Sequence, residues 1–394
     1  MNGAASPAAL PAVLHHAALP HRGGAVRVAR LLLREQRKAG LDARLSFELD
    51  ETDPEELGGH PDPEDARVPR IGPVAPAELG RAWAALPRIA ALHLHTSTDW
   101  PGLLSGLLPH ATGRRLLLTL HDAAPLTGGC AYPLDCPHFP ACVDPCPRDF
   151  PDARARQAET AGLLRSLAPI LASPSRWLAR LARQALPELP ARVIPNGVPW
   201  PELSALASPT HVRAQARATL GIAPQVPVAL FAAHGGARAA YKSGPRWPEY
   251  WRAVREQLPQ AQAFAVGGDE ALTRDGLTVW PYVDRAKLAL LMRAADALLY
   301  PTLADNHPLV LLEAAALELP VVSFAVGGVP EIVTPGGTGL LAAPGDERAF
   351  CQAACSLLSD AALCRRLGRA ARDRGGRRFN VARMAADYAA LLEG

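Results

Sequence analysis

A chain of 394 residues with 49% hydrophobic and 20% charged residues has room for two domains of ordinary size and the composition of a globular protein. A formal net charge of +3 and the lack of a long basic arm give no electrostatic footprint for nucleic acid. No apolar run approaches the roughly 20 residues of a membrane helix. The amino-terminal stretch has no charged leader and is broken by prolines and by His15 and His16, so it does not read as a signal peptide and a cytoplasmic protein is expected.

In chain order, AVLHHAA, ARLSFEL, ALHLHTS, RRLLLTLH, PILAS and ARVIP read as strands with helices between them, the first helix over 26–38. Residues 50–70 are acidic and proline-rich. They contain Asp62, Glu64 and Asp65, the nearest approach to a DxD cluster for a metal and a diphosphate, but no buried strand precedes it and the stretch is read as a solvated loop. A cysteine-rich insertion spans about 121–155. These segments make one Rossmann-like domain over 1–196, followed by a linker of low periodicity at 197–212.

From Val228 the rhythm becomes regular: VALFAAH, a helix over 247–257, AFAVGG, LTVWPYV, a helix over 284–294, ALLYP, PLVLLEAAAL and VVSFAV. Strands that are apolar throughout are buried on both faces, as in a parallel sheet flanked by helices. The fold class is therefore α/β: two Rossmann-like, doubly wound parallel-sheet domains facing a cleft, the second over 213–378, with a last helix in 379–394 packing back on the first. No GxxxxGK[ST] occurs, so a P-loop ATPase is not supported.

Ligands of such sheets lie at the carboxyl ends of the strands, where helix amino termini offer free N–H groups. After ALLYP comes a loop with Asp305, Asn306 and His307. Pro308 then opens a helix able to hold a phosphate, with Leu309 in its first turn. Glu313, about a turn and a half further on, can reach a more distant group such as a ribose diol. Gly327 and Gly328 begin a second helix start where backbone can approach a ligand closely. In the first half, Gly23 and Gly24 open a helix, and His121 and Asp122 end a buried strand facing the cleft; a histidine merely satisfied by its neighbouring aspartate is the structural alternative.

The run EAAALELPVV, GGVPEIV and TGLL resembles the retaining glycosyltransferases of family 4, of GT-B fold, and D-N-x-P at 305–308 resembles the branch that builds bacterial exopolysaccharides. The resemblance implies a nucleoside diphosphate sugar donor held by the second domain and a glycan or lipid-linked acceptor held by the first. It implies Glu313 on the ribose, loop amides on the diphosphate, and Asp305 and His121 on the donor sugar, Asp305 standing where the family has a longer glutamate. Lys242 in GGARAAYKSG, with Arg238 as companion, resembles the family's cationic turn and would stabilise charge on the leaving diphosphate. Gly23 and Gly24 match a loop near donor phosphates and acceptor. Front-face attack is implied, with no protein nucleophile and no cofactor required for catalysis. A non-catalytic nucleotide-sugar-binding subunit, or an epimerase or phosphorylase on the same fold, is the alternative.

Cys130, Cys136, Cys142 and Cys146, spaced C-x5-C-x5-C-x3-C, suggest a structural zinc clip in a reducing compartment, with oxidised pairs or free thiols as alternatives. Cys351, Cys355 and Cys364 read as small core residues. The arginines from Arg365 to Arg378 read as a solvated face, with peripheral contact to an anionic membrane, at its inner face, as the functional alternative.

Overall fold

The computed structural model describes residues 12–21, 23–50, 69–87, 90–206, 210–232, 240–267, 271–280 and 283–393. The first sheet contains β1 (Ala12–Ala17), β2 (Asp42–Phe47), β3 (Arg70–Ile71), β4 (Ala91–Leu94), β5 (Leu116–Thr119), β6 (Ile170–Ser173) and β7 (Arg192–Val193). Its order is β3-β2-β1-β4-β5-β6-β7 and every pairing is parallel. The helices between them are α1 (Gly24–Lys38), α2 (Leu79–Ala84), α3 (Trp100–Leu107), α4 (Ala153–Leu167) and α5 (Arg176–Ala185). Leu14, Leu92, Leu94, Leu116 and Leu118 bury one face of this sheet against α2 to α5, with Trp83 fully buried among them.

Two short helices, α6 (Trp200–Ala205) and α7 (Thr210–Thr219), lead to the second sheet. The span read from sequence as an aperiodic linker thus carries helical turns, and Trp200 packs against Gly375, where a Cβ would meet its ring at 2.2 Å. The second sheet is β8 (Val228–Ala232), β9 (Gln262–Val266), β10 (Leu272–Arg274), β11 (Leu277–Trp280), β12 (Ala297–Tyr300), β13 (Val321–Phe324) and β14 (Gly339–Ala342), ordered β10-β11-β9-β8-β12-β13-β14. Only β10 runs antiparallel. It pairs with β11 through Asp275 and Gly276, both at positive φ, the backbone that a tight Asp-Gly hairpin demands.

Around this sheet lie α8 (Trp247–Gln257), α9 (Arg285–Ala294), α10 (Leu309–Ala316), α11 (Val329–Ile332), α12 (Glu347–Ser359) and α13 (Ala361–Gly375). The chain then returns to the first sheet as α14 (Val381–Glu393), which packs on α1. Tyr388, fully buried, meets Thr119 of β5 at 2.9 Å. The outgoing and returning strands cross side by side, Val198 N donating to Phe379 O and Val381 N to Val198 O, each at 2.9 Å. Gly197 is required here, because a Cβ would meet Asn380 O at 2.6 Å. Cys351, Cys355 and Cys364 lie in the core with α8 and α12, as their helical setting suggests.

Candidate active site

In both sheets the strand order reverses beside the first strand, at β1/β4 and at β8/β12, and the crevice opens at the carboxyl ends there. β12 delivers Tyr300 and then Asp305. Asp305 is 7% exposed, and its Oδ2 accepts from Tyr300 OH at 2.6 Å and lies 3.5 Å from Lys242 Nζ. The turn bearing Lys242 is stitched to the same loop by Leu303 N and the Thr302 hydroxyl, both donating to Tyr241 O. Residues more than sixty positions apart thereby place a cation, a carboxylate and a phenol at one strand end. Arg238 lies outside the described residues, as do Asp62, Glu64 and Asp65.

Pro308 occupies the cap position of α10 at φ −66°, one residue before the first helical one, and no side chain caps the helix. Leu311 N donates to Pro308 O at 3.2 Å, which leaves the amides of Leu309 and Val310 to meet an anion. Glu313 projects from the second turn, 5% exposed, and forms an ion pair across the cleft with Arg27 of α1. Gly23, at φ +103°, starts α1, and neither it nor Gly24 has an atom within 4 Å of where a Cβ would stand, so this turn borders open space.

Five residues expected at the donor have protein partners instead. Asn306 is spent on the opposite domain: its Nδ2 donates to Leu120 O (3.0 Å) and His121 O (3.1 Å), and its Oδ1 accepts from Ser175. His307 packs edge-on against Phe379, 4% exposed, and its backbone carbonyl accepts from Asn196. Leu309 is buried in the apolar seam formed with α1, α6 and α14. Gly327 and Gly328 approach protein rather than open space: added Cβ atoms would meet Asp305 O at 2.1 Å and Asn306 O at 1.7 Å. These glycines let one loop lie on another, so their bearing on a ligand is indirect.

His121 does not pair with Asp122. Asp122 accepts from Ala124 N at 2.8 Å, and burial pushes its carboxyl up to about 6. His121 Nε2 instead meets His95 Nδ1 at 2.9 Å, His95 Nε2 meets His15 Nδ1 at 3.0 Å, and His15 Nε2 meets Gln36 Oε1 at 2.7 Å. His93 sits beside this row, bonded to Thr119 at 2.8 Å. Alternation on adjacent strands could have drawn attention to HLH and HH in the sequence, but their meeting depends on β1 lying next to β4.

His15, His93 and His95 are the one group among the described residues with three metal-capable atoms close together. The rings of His93 and His95 lie 4.1 Å apart between centroids at an interplanar angle of 33°, and His15 and His95 already share a hydrogen bond. The four cysteines of the insertion do not form such a group. They form no disulfide, and Cys142 Sγ accepts from Gly128 N at 3.3 Å. What the insertion does contribute is Tyr132, 9% exposed, in ring contact with Trp177 of its own domain and with Tyr241 across the cleft. Glu331 adds a further latch, accepting from Arg176 N and Trp177 N at the start of α5, where a carboxylate suits the helix dipole.

Residues 22–199 match the family model described as Glycosyltransferase Family 4, and residues 245–360 match Glycosyl transferases group 1. Among curated proteins, a glycogen synthase of Mycobacterium tuberculosis is 40% identical over 93 residues, 24% of this chain and 22% of that one. A D-inositol 3-phosphate glycosyltransferase of Xylanimonas cellulosilytica is 33% identical over 204 residues, 48% of this chain and 47% of that one. The aligned stretches thus span less than half of those relatives' lengths. Among solved structures, Anabaena Alr3699/HepE in complex with UDP superposes with a TM-score of 0.72 at 19% identity, covering 97% of this chain and 99% of that one. Sucrose-phosphate synthase of Thermosynechococcus elongatus does so at 0.72 and 21%, covering 97% and 98%. These likenesses establish the two-domain GT-B architecture expected from the sequence.

Proposed function

We propose that this chain, which belongs to the group 1 and family 4 glycosyltransferases, moves a sugar from a nucleoside diphosphate sugar to a glycan or lipid-linked acceptor with retention of anomeric configuration. The observation that carries this reading is the alignment along one cleft of Lys242 with Asp305, the uncapped start of α10, and Glu313, opposite His121. That order suits a donor laid lengthwise, with sugar near His121, diphosphate at the helix start and Lys242, and ribose at Glu313.

In the reaction the acceptor hydroxyl oxygen forms a bond to the anomeric carbon as the bond from that carbon to the phosphate oxygen breaks. The nucleoside diphosphate departs with the electron pair and its oxygen takes the acceptor's proton. Lys242 and the α10 amides offset the charge that develops on the leaving group. Asp305, held by Tyr300, orients Lys242 through Oδ2. Its Oδ1 has no hydrogen bond among the described residues and faces no competitor for a sugar hydroxyl.

The acceptor side is the first domain, in the exopolysaccharide-type reading. A lipid-linked acceptor is consistent with the exposed arginines of α13 and of the turn after it, among them Arg365, Arg366, Arg369, Arg374, Arg377 and Arg378, which suit an anionic membrane surface. Among the described residues no helix is long and apolar enough to cross a membrane. The test is incubation with a panel of nucleotide sugars, with and without lipid-linked acceptor. Donor-dependent nucleotide release that Glu313→Ala abolishes supports the enzyme, and tight nucleotide-sugar binding without release or product rejects it.

A further inference from the structure

His15 of β1 lies in register with His93 of β4, and His95 follows two residues on, so the three imidazoles share one face of the sheet. That face is covered by α1, which supplies Gln36, and by α14, which supplies Tyr388 against His93. His15, His93 and His95 are at most 1% exposed, and Gln36 is 3% exposed. Burial holds His15 down to about 4 and keeps His95 well below the usual range, while desolvation lowers His121 to about 3. At neutral pH each ring therefore carries one proton and can donate on one side only.

One proton per ring makes the row directional. Gln36 Oε1 can only accept, so His15 must donate from Nε2, which leaves His15 Nδ1 as an acceptor. His95 must then donate from Nε2 to His15 Nδ1, and its own Nδ1 becomes an acceptor. His121 must in turn donate from Nε2 to His95 Nδ1. What remains at the far end is the bare Nδ1 of His121, on a residue only partly covered at the mouth of the cleft. Aspartate plays the orienting part in other histidine sites; here Asp122 is turned to Ala124 N and a relay of neutral imidazoles takes its place.

We propose that Gln36, His15 and His95 are positioning residues that hold His121 in its Nε2–H tautomer, presenting Nδ1 to the cleft as a hydrogen-bond acceptor for a hydroxyl of the donor sugar. The sugar's hydroxyl donates and His121 accepts, so the site selects a donor sugar with a hydroxyl at that position over one that lacks it. A sugar carrying only an acceptor there meets two lone pairs facing each other. The role at the sugar rests on the reading given under Proposed function. The tautomer does not.

Histidine nitrogen resonances of the full chain, labelled at histidine and recorded near neutral pH without donor, read the tautomer directly. A protonated Nε2 and bare Nδ1 at His121 is the expected result. Gln36→Met removes the acceptor at the root of the row and should leave His121 averaging between tautomers, with kcat/KM for the donor lowered roughly fivefold to tenfold. Gln36→Glu still accepts from His15 and should restore both the tautomer and the rate, which a merely space-filling Gln36 would not require. A His121 protonated at Nδ1, or one unchanged in Gln36→Met, overturns the relay whatever the enzyme transfers. If the tautomer is as stated but His121→Ala leaves donor KM and kcat unchanged, the relay stands and the placement of the sugar at His121 falls.

Discussion

Arg27 of α1 and Glu313 of α10 form an ion pair across the cleft, joining the first domain to the carboxylate proposed above to hold the nucleotide's ribose. With Glu313 7% and Arg27 24% exposed at the side chain, the pair stabilises the donor-free arrangement by about 1 kcal/mol. A ribose diol must share or displace Arg27. Arg27→Ala should therefore tighten nucleoside diphosphate binding several-fold in a calorimetric titration. Weaker binding would instead put Arg27 on the diphosphate.

The contact between the glycine turn and the Asp305 loop predicts a sharp contrast between two substitutions. Gly328→Ala drives a methyl into Asn306 O and should cost about 1–3 kcal/mol, since backbone rather than a flexible side chain must yield. Gly24→Ala meets nothing within 4 Å and should change stability by less than about 1 kcal/mol. Denaturant unfolding measures both, and equal losses would contradict the packing.

If Lys242 has the role proposed for it, on the leaving diphosphate rather than on the ground state, Lys242→Met should lower kcat about a hundredfold with intact folding. Tyr300→Phe removes one hydrogen bond to Asp305 and should cost roughly fivefold. Steady-state kinetics with a saturating donor separate the two. A Lys242→Met enzyme with normal kcat and raised KM would make Lys242 a binding residue only.

Acid should weaken the fold from an unusually high pH. His15 is lowered to about 4, and His121 and His307 to about 3, each from 6.5, so their neutral forms are favoured in the folded state. The stability this confers is fully present above pH 6.5 and is lost as pH falls toward 4, by about 1.4 kcal/mol per pH unit for each histidine. Asp122, raised from 3.8 to about 6, works the other way and regains stability as pH falls through that window. Denaturation midpoints should be close at pH 7.5 and 6.5 and fall through 5.5 and 4.5, and His15→Gln should flatten the decline.

The absence of a disulfide at Cys130, Cys136, Cys142 and Cys146 predicts four thiols titratable after unfolding with a chelator present, in addition to the three of the core. Fewer titratable thiols would place a disulfide in the insertion.

Much of the scaffold was legible in the residues themselves. Apolar runs such as VALFA and ALLY could only be strands buried on both faces, and α8 spans the residues its periodicity marks. The same holds for the Pro308 helix start and for Glu313 further along that helix, because each depends on spacing within one short segment. What each residue touches was a different matter. Asn306 turned out to bolt the domains together, Gly327 and Gly328 to seat one loop on another, and Lys242 to meet Asp305, each through a partner distant in sequence.

The histidine row shows the division most clearly. Local pattern determines that His15, His93 and His95 lie on strands and on one face of each, since side chains alternate with a period of two. That they stand within hydrogen-bond reach, 80 positions apart, is decided by the placement of β4 beside β1 and of α1 over both. Periodicity acts along the chain and is written in it. The order of strands in a sheet, and the pairing of polar groups it brings about, comes from the joint burial of many segments, which no single stretch of sequence contains.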